Sequence, residues 1–510
     1  FRRCCFSRQH HTRGRLMALR RVALASANVV TRRLVPWVVL RGRQFSSVSV
    51  SVGQPTPATH PHLMQSGELT PGFTSDEYIQ RRANLVAMLP PNSVVLLASA
   101  APVHLPNTVI PIPGYRQDAD FAYLTGVTQP GVVAMLQVGD QSGSDKKQST
   151  YTLLVPPQSK HNDVWNGPRI DSNTAVSYFN AGEAHEVPNN MTRVLLSALA
   201  KSQNVFLDQS ILQFDDGIRT ALSTAGVLKR PPQALRPLMH RLRWQKSIGE
   251  IDAMKASVNA SINGFRDAMK HSNDGINESE IGARHEFICK LHGADRLAYP
   301  SVVAGGSASL IVHYSAMNKL LGKGELLLMD AGCERNGYVS DITRTWPVCE
   351  KSGFSNAQAD VYDAVLAAHS QCVAAAHVGV SLHELHLLSV EVLSQGLRDL
   401  GVKSDSVTNK SVPYQKYYPH SVGHWLGMDT HDTPSVSTSS AIAKGCAFTI
   451  EPGLYFPVDD PAVPKALRGI GVRIEDNLAV DPVTGEMEVL SAALPVGRRE
   501  VEELVRELRR

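Results

Sequence analysis

No acidic residue and no lysine occurs in the first 67 positions of this 510-residue chain, although eleven arginines do. That absence divides the chain electrostatically. The net charge of +4 comes from the leader, and with its eleven arginines set aside residues 68–510 carry −7. A mildly acidic body argues against a nucleic-acid binder. The leader also lacks a long apolar run: its longest, Leu34–Leu40, contains Pro36 and is far too short to cross a bilayer. Arg-rich, Ser-containing and acid-free, residues 1–52 read as a transit peptide for mitochondrial import, the matrix being the expected destination. A basic tail that meets something anionic is the plainer alternative. Arg41–Ser47 ("RGRQFSS") resembles a matrix-processing site, with Arg43 two residues before Phe45. Because the first residue is Phe1, the start is expected either upstream or at Met17.

Cysteine is also sparse. Cys4 and Cys5 lie in the leader and Cys289, Cys333, Cys349, Cys372 and Cys446 in the body, with no C-x-x-C pair. An odd body count without that motif excludes a disulfide framework and a zinc knuckle, and it fits a reducing compartment. These thiols are expected to be small buried hydrophobes. Tandem repeats, long low-complexity segments and a G-x-G-x-x-G loop are all absent. "HELH" (His383–His386) has a spacing of three rather than four, and His285 and His292 are seven apart, so neither reads as a zinc pair. "VVAGGSAS" reads as a turn after a strand, and the terminal "RELRR" as a solvated helix end.

What is present is a soluble, globular composition, 43% hydrophobic and 19% charged, in a chain long enough for two or three domains. A Pro-rich linker at 53–67 leads into an α/β region at 68–237, where a helical stretch is followed by short apolar runs: "SVVLLASA", "FAYLTGV", "GVVAMLQVG", "YTLLVPP" and "NVFLDQS". A second, α+β region at 238–510 opens with Ser247 and Glu250 spaced as a capping box before a long amphipathic helix. Another helix starts at "NESEIGARHEFICKLHG". From Ser301 the pattern is strand-like, apart from one helical block at about 356–400.

Three of those strand-like segments carry acids where an apolar run should continue. Asp330 ends "LLLMD", Asp341 opens "DITRTW", Glu451 follows "FTI" and Glu475 follows "VRI". A lone acid at a strand end is most simply a solvated end or a salt bridge. Four buried together would be prohibitive without cations, and two divalent ions balance them. The stretch "PHSVGHWLGMDTHD" supplies His420, His424 and His431, but Pro419 and Gly423 argue against a regular helix there. Four carboxylates with one imidazole suit Mn²⁺, with Co²⁺ or Zn²⁺ as alternatives.

The order Asp330, Asp341, "HSVGH", "EPGLY" and "RIED", together with "RQDADFAYLTG" (Arg116–Gly126), resembles the pita-bread metallopeptidases, and among them the mitochondrial aminopeptidase P family of the X-Pro aminopeptidase and intermediate-cleaving type. The likeness extends over about residues 54–500. It implies an N-terminal domain of the creatinase/aminopeptidase P type, a pita-bread catalytic domain and a dinuclear metallo-aminopeptidase. Asp330 and Asp341 would hold one metal, Asp341 and Glu475 would bridge to the second, and His424 and Glu451 would complete it. Hydroxide from a shared water would attack the first peptide bond, with Glu451 as proton shuttle.

The same resemblance implies that His431 steadies the tetrahedral intermediate, that His420 lines the pocket for the second residue, and that His313, on an apolar strand, touches substrate. Arg473 sits two residues from Glu475, on the same strand face, where a cation orients carboxylates. Tyr455 either touches the intermediate or packs in the core, and the role of Asp120 stays open. The expected substrates are peptide or protein N-termini, cut at Xaa-Pro or trimmed by one residue after presequence processing. No nucleic acid and no membrane span are expected; a homo-oligomer is left open. The competing readings are an Xaa-Pro dipeptidase, an inactive protein-binding module, and a metal-free creatinase-like enzyme, against which the intact ligand set counts.

Overall fold

Short apolar runs bounded by turns can be buried as strands that pair edge to edge under a cover of helices. A computed structural model describes residues 52–510 except 109, 113, 141–147, 188–189, 209–210, 213, 230–231, 349–352 and 404–413. The leader with its expected import and processing signals, Cys4, Cys5 and Cys349 therefore lie outside the described residues. Four of those runs join two short polar segments in one six-stranded sheet, in the order Glu183–Glu186, Ser149–Val155, Val133–Val138, Ser93–Ala98, Asn204–Leu207 and Gln233–Ala234. Antiparallel pairs join the three strands Ser149–Val155, Val133–Val138 and Ser93–Ala98, and the outer strands add in parallel.

One run departs from the expected pattern. "FAYLTGV" is not a strand but most of the helix Ala119–Thr125. Its caps decide this: Asp118 accepts from the Phe121 N–H at the start, and Gly126 takes a left-handed φ of 68° at the end. The helix buries Phe121, Tyr123 and Leu124.

In the second region the capping box forms as expected. The Ser247 N–H donates to Glu250 Oε2 at 2.8 Å, the Glu250 N–H donates to Ser247 Oγ at 3.3 Å, and the helix runs Ile248–His271. It packs against the helix Glu278–Leu291. The single helical block expected at 356–400 is two helices, Asn356–Ala375 and Leu382–Asp399. The first ends before Ala376, whose backbone is extended, Gly379 turns the chain at φ 103°, and Ser381 with Glu384 builds a fresh capping box. The Glu of "HELH" is thus a cap. His383 of that motif is exposed, whereas His386 is half-buried beside the Tyr418 ring, 5.7 Å away. Cys289, Cys333, Cys372 and Cys446 are free thiols, all buried.

Two sheets present the acids. Leu326–Ala331 pairs with Ile342–Pro347, Asp330 opposite Thr343, and Ala447–Ile450 pairs with Asp476–Val480. A backbone bridge between Thr343 and Glu475 ties the sheets together. Behind it Arg344 is fully buried, donating to Asp476 Oδ1 at 2.6 Å and to the carbonyls of Glu475, Leu494 and Pro495. Arg344→Met will leave the buried Asp476 without its guanidinium partner, with Ser491 and His369 as its remaining neighbours, and is expected to cost about 3–5 kcal/mol in denaturant unfolding. A midpoint equal to that of the parent would show that this clamp does not hold the sheets.

Candidate metal centre

Each acid reaches one cavity because its strand or turn ends there. Asp330 is the penultimate residue of Leu326–Ala331, and Asp341 immediately precedes Ile342–Pro347. Glu451 follows Ala447–Ile450, and Glu475 follows the short strand Gly471–Arg473. All four, with His313, His424, His431 and Arg473, line a cavity of about 610 Å³. His420 stands behind this wall, bonded to Tyr455.

Ligand-type atoms of Asp341, His424 and Glu475 lie within 4.8 Å of one another. His424 Nε2 is 3.3 Å from Asp341 Oδ2 and 3.6 Å from Glu451 Oε1, and its Nδ1 lies 3.1 Å from the Trp425 carbonyl. Arg473 Nη2 donates to Asp330 Oδ2 at 2.6 Å, its Nη1 to the Tyr455 hydroxyl at 2.7 Å and its Nε to Thr343 Oγ1 at 3.1 Å. The Thr343 hydroxyl in turn donates to Glu475 Oε2 at 2.7 Å. Arg473 and Glu475 thus converge on one threonine.

The histidine stretch is not helical, because Gly423 lies against another strand: a Cβ there would sit 1.9 Å from the Thr449 carbonyl oxygen. That approach delivers His424 to the carboxylates, and its own N–H donates to Thr449 Oγ1 at 3.2 Å. The His431 ring centroid is 4.2 Å from that of His424. His420 Nε2 accepts from the Tyr455 hydroxyl at 2.9 Å. One expectation is corrected: His313 is not on a strand but in a turn after the 3-10 helix Gly306–Leu310. Leu310, Val312 and Tyr314 pack inward while Ile311 is 56% exposed, and the chain turns at 311–313 instead of pairing with a neighbouring strand.

Burial drives the electrostatics. It pushes Glu475 well above the carboxylate range, reinforced by Asp341, Glu451 and Asp330. Burial likewise raises Glu451 to about 7 against the pull of His424. Asp330 is raised by burial despite Arg473. Burial opposes ionisation of Asp341 too, but its bond to His424 outweighs this and holds it low. For His424 burial is overcome by Asp341 and Glu451, which lift it to about 9, whereas burial and Arg473 press His420 down to about 3. The cluster has more negative charge than one guanidinium and one imidazole offset. Glu475 Oε1 is buried without a hydrogen-bond partner, a cost that a cation removes. An oxygen-rich set with a single imidazole therefore fits divalent metal chemistry.

Tyr299 escaped the sequence reading. Its hydroxyl donates to Asp330 Oδ1 at 2.6 Å and also touches Asp341 Oδ1. Thr343 and Asn477, whose Oδ1 accepts from the Asp341 N–H at 3.0 Å, were missed as well. None sits in a pattern that singles it out.

Residues 78–206 match the family model "Aminopeptidase P, N-terminal domain", and residues 252–482 match "Metallopeptidase family M24". The chain is 36% identical to "Intermediate cleaving peptidase 55, mitochondrial" of Arabidopsis thaliana, over 94% of this chain and 92% of that protein. It is also 36% identical to "Xaa-Pro aminopeptidase 3" of Homo sapiens, over 89% and 90%. Among solved structures, "Proline aminopeptidase P II from Yersinia pestis" superposes with a TM-score of 0.77 at 30% identity, covering 85% of this chain and 99% of that one. Near full-length agreement in sequence and fold, on a chain whose acids converge as these do, makes it a member of the aminopeptidase P family of M24 metallopeptidases, metal-dependent aminopeptidases with the pita-bread catalytic fold.

Proposed function

We propose that the enzyme removes a single N-terminal residue from peptides and imported proteins in the mitochondrial matrix, using two Mn²⁺ ions. In this reading residues 1–52 are the transit peptide, 68–237 the N-terminal domain and 238–510 the catalytic domain. The observation that carries it is the convergence of Asp341, His424 and Glu475 within 4.8 Å, with Glu475 Oε1 buried and unpaired. Asp330, Asp341, His424, Glu451 and Glu475 would hold the metals. When bound, the ions neutralise the carboxylates and lower the pKa of water toward neutrality.

The other steps belong to the chain's own groups. Glu451, on the cavity wall 3.6 Å from His424 Nε2, would take a proton from the attacking water and pass it to the leaving nitrogen. His431 donates to the oxygen that gains charge, and His313, at the cavity mouth, contacts the substrate. Arg473 and Tyr299 hold Asp330 in orientation, and His420, through Tyr455, sits beside the pocket for the second residue.

Two substrate preferences remain, because relatives carry both names, intermediate cleaving peptidase and Xaa-Pro aminopeptidase. Trimming after presequence processing is favoured by the arginine-rich, acid-free leader, which suits a protein that is itself imported. The test compares hydrolysis of an Xaa-Pro tripeptide, an Xaa-Pro dipeptide and a peptide beginning Phe-Ser-Ser. Cleavage of the last is expected. Activity on the first alone removes presequence trimming, and activity on the dipeptide alone makes the enzyme a prolidase.

A further inference from the structure

Arg243 lies at the end of the helix Arg236–Trp244 with its side chain 3% exposed, and it meets three carboxylates from two distant parts of the chain. Its Nη1 is 2.5 Å from Asp120 Oδ1, and its Nη2 is 2.5 Å from Asp432 Oδ1 and 2.7 Å from Asp429 Oδ2. The second oxygens of Asp432 and Asp429 are taken by other cations. Lys246 Nζ is 3.1 Å from Asp432 Oδ2, and Arg116 Nη1 is 2.9 Å from Asp429 Oδ1. Arg116 also donates to the Met428 carbonyl at 2.6 Å. With Glu334, which lies 2.6 Å from Arg116 Nε and also pairs with Arg296, the network holds four acids and four cations, and the Arg243 and Arg116 forks each point more than one way at once.

The two acids that Arg243 grips on the histidine loop, Asp429 and Asp432, are the ends of a four-residue turn. Between them stand Thr430 and His431, both lining the cavity. The Asp432 N–H donates to the Trp425 carbonyl at 2.9 Å, closing the wider loop Trp425–Asp432 that carries the turn. Gly427 has no room for a side chain, since a Cβ would lie 2.4 Å from Asp432 Oδ2. With both ends pinned toward Arg243, the His431 ring is held over His424.

We infer that Arg243 is a positioning residue for His431, holding Asp429 and Asp432 against Asp120 of the N-terminal region so that the His431 ring faces the reacting carbonyl. This rests on His431 contacting substrate, as read above. It also gives Asp120 a function: it anchors the outer side of the fork, so the first region of the chain helps set catalytic geometry in the second.

A double-mutant cycle tests it on the metal-loaded protein. Arg243→Lys keeps the charge but loses the fork, and is expected to lower kcat on the order of ten- to a hundred-fold, as small misplacements of a reacting group do. KM and bound metal should stay unchanged. In a His431→Ala background the same substitution should cost less than about two-fold, because the group it positions is gone. An equal loss in both backgrounds, or loss of metal from Arg243→Lys, overturns the inference in favour of a structural role. Full activity of His431→Ala alone overturns the underlying reading of His431 instead. Should Arg243→Lys not fold, Asp120→Asn removes only the outer anchor. It is expected to lower kcat in the parent and not in the His431→Ala background, and equal effects there again overturn the inference.

Discussion

Asp341→Ala will abolish peptide hydrolysis and leave the protein folded. The carboxylate faces His424 at 3.3 Å and contributes to the only group of three such ligand side chains found among the described residues. Losing an outer partner of a metal site commonly costs about 10–100-fold. Loss of a group proposed to hold both ions should exceed that range, to below detection. The fold survives because Asn477 grips the backbone of Asp341 through its N–H and C=O, neither of which alanine removes. The substitution also relieves the repulsion that Asp341 imposes on Glu475. Steady-state kinetics, bound-metal analysis and circular dichroism on one preparation check this. Full metal content with parental turnover would mean that Asp341 is not part of the centre.

His431→Ala is expected to act differently, slowing turnover about 10²–10³-fold, the typical loss of one oxyanion donor, while both metals stay bound. His431 stands over His424 with ring centroids 4.2 Å apart, and burial holds it below the usual imidazole pKa, favouring the neutral ring with one N–H to donate. The side chain is exposed to the cavity, so its removal should change unfolding free energy by no more than about 0.5 kcal/mol. Unchanged kcat would remove His431 from the chemistry. A fall in metal content would move it into the ligand set.

The acids were legible because burying a carboxylate is costly enough to need a reason, and Asp330, Asp341, Glu451 and Glu475 each interrupt an apolar run. The capping box at Ser247 and Glu250 was legible for a similar reason, since two local hydrogen bonds depend only on a spacing of three. Where a local cap competed with an apolar run, as at Asp118 and Gly126, the run alone misled and a helix formed. The apolar pattern around His313 predicts a strand, yet the chain turns there with Ile311 facing solvent, and exposure has no sequence signature. Tyr299, Thr343 and Arg243 were invisible because a hydroxyl or guanidinium that touches an acid tens or hundreds of positions away belongs to no motif.

By itself, then, the sequence determined the family resemblance and singled out candidate ligand residues, since both depend on residue type and short spacing. Tertiary structure alone decided which acids share one cavity, which oxygen of Glu475 lacks a partner, and how Arg243 joins Asp120 to the His431 turn. Those are matters of distance between remote segments and of exclusion from water, and only the packed chain defines them.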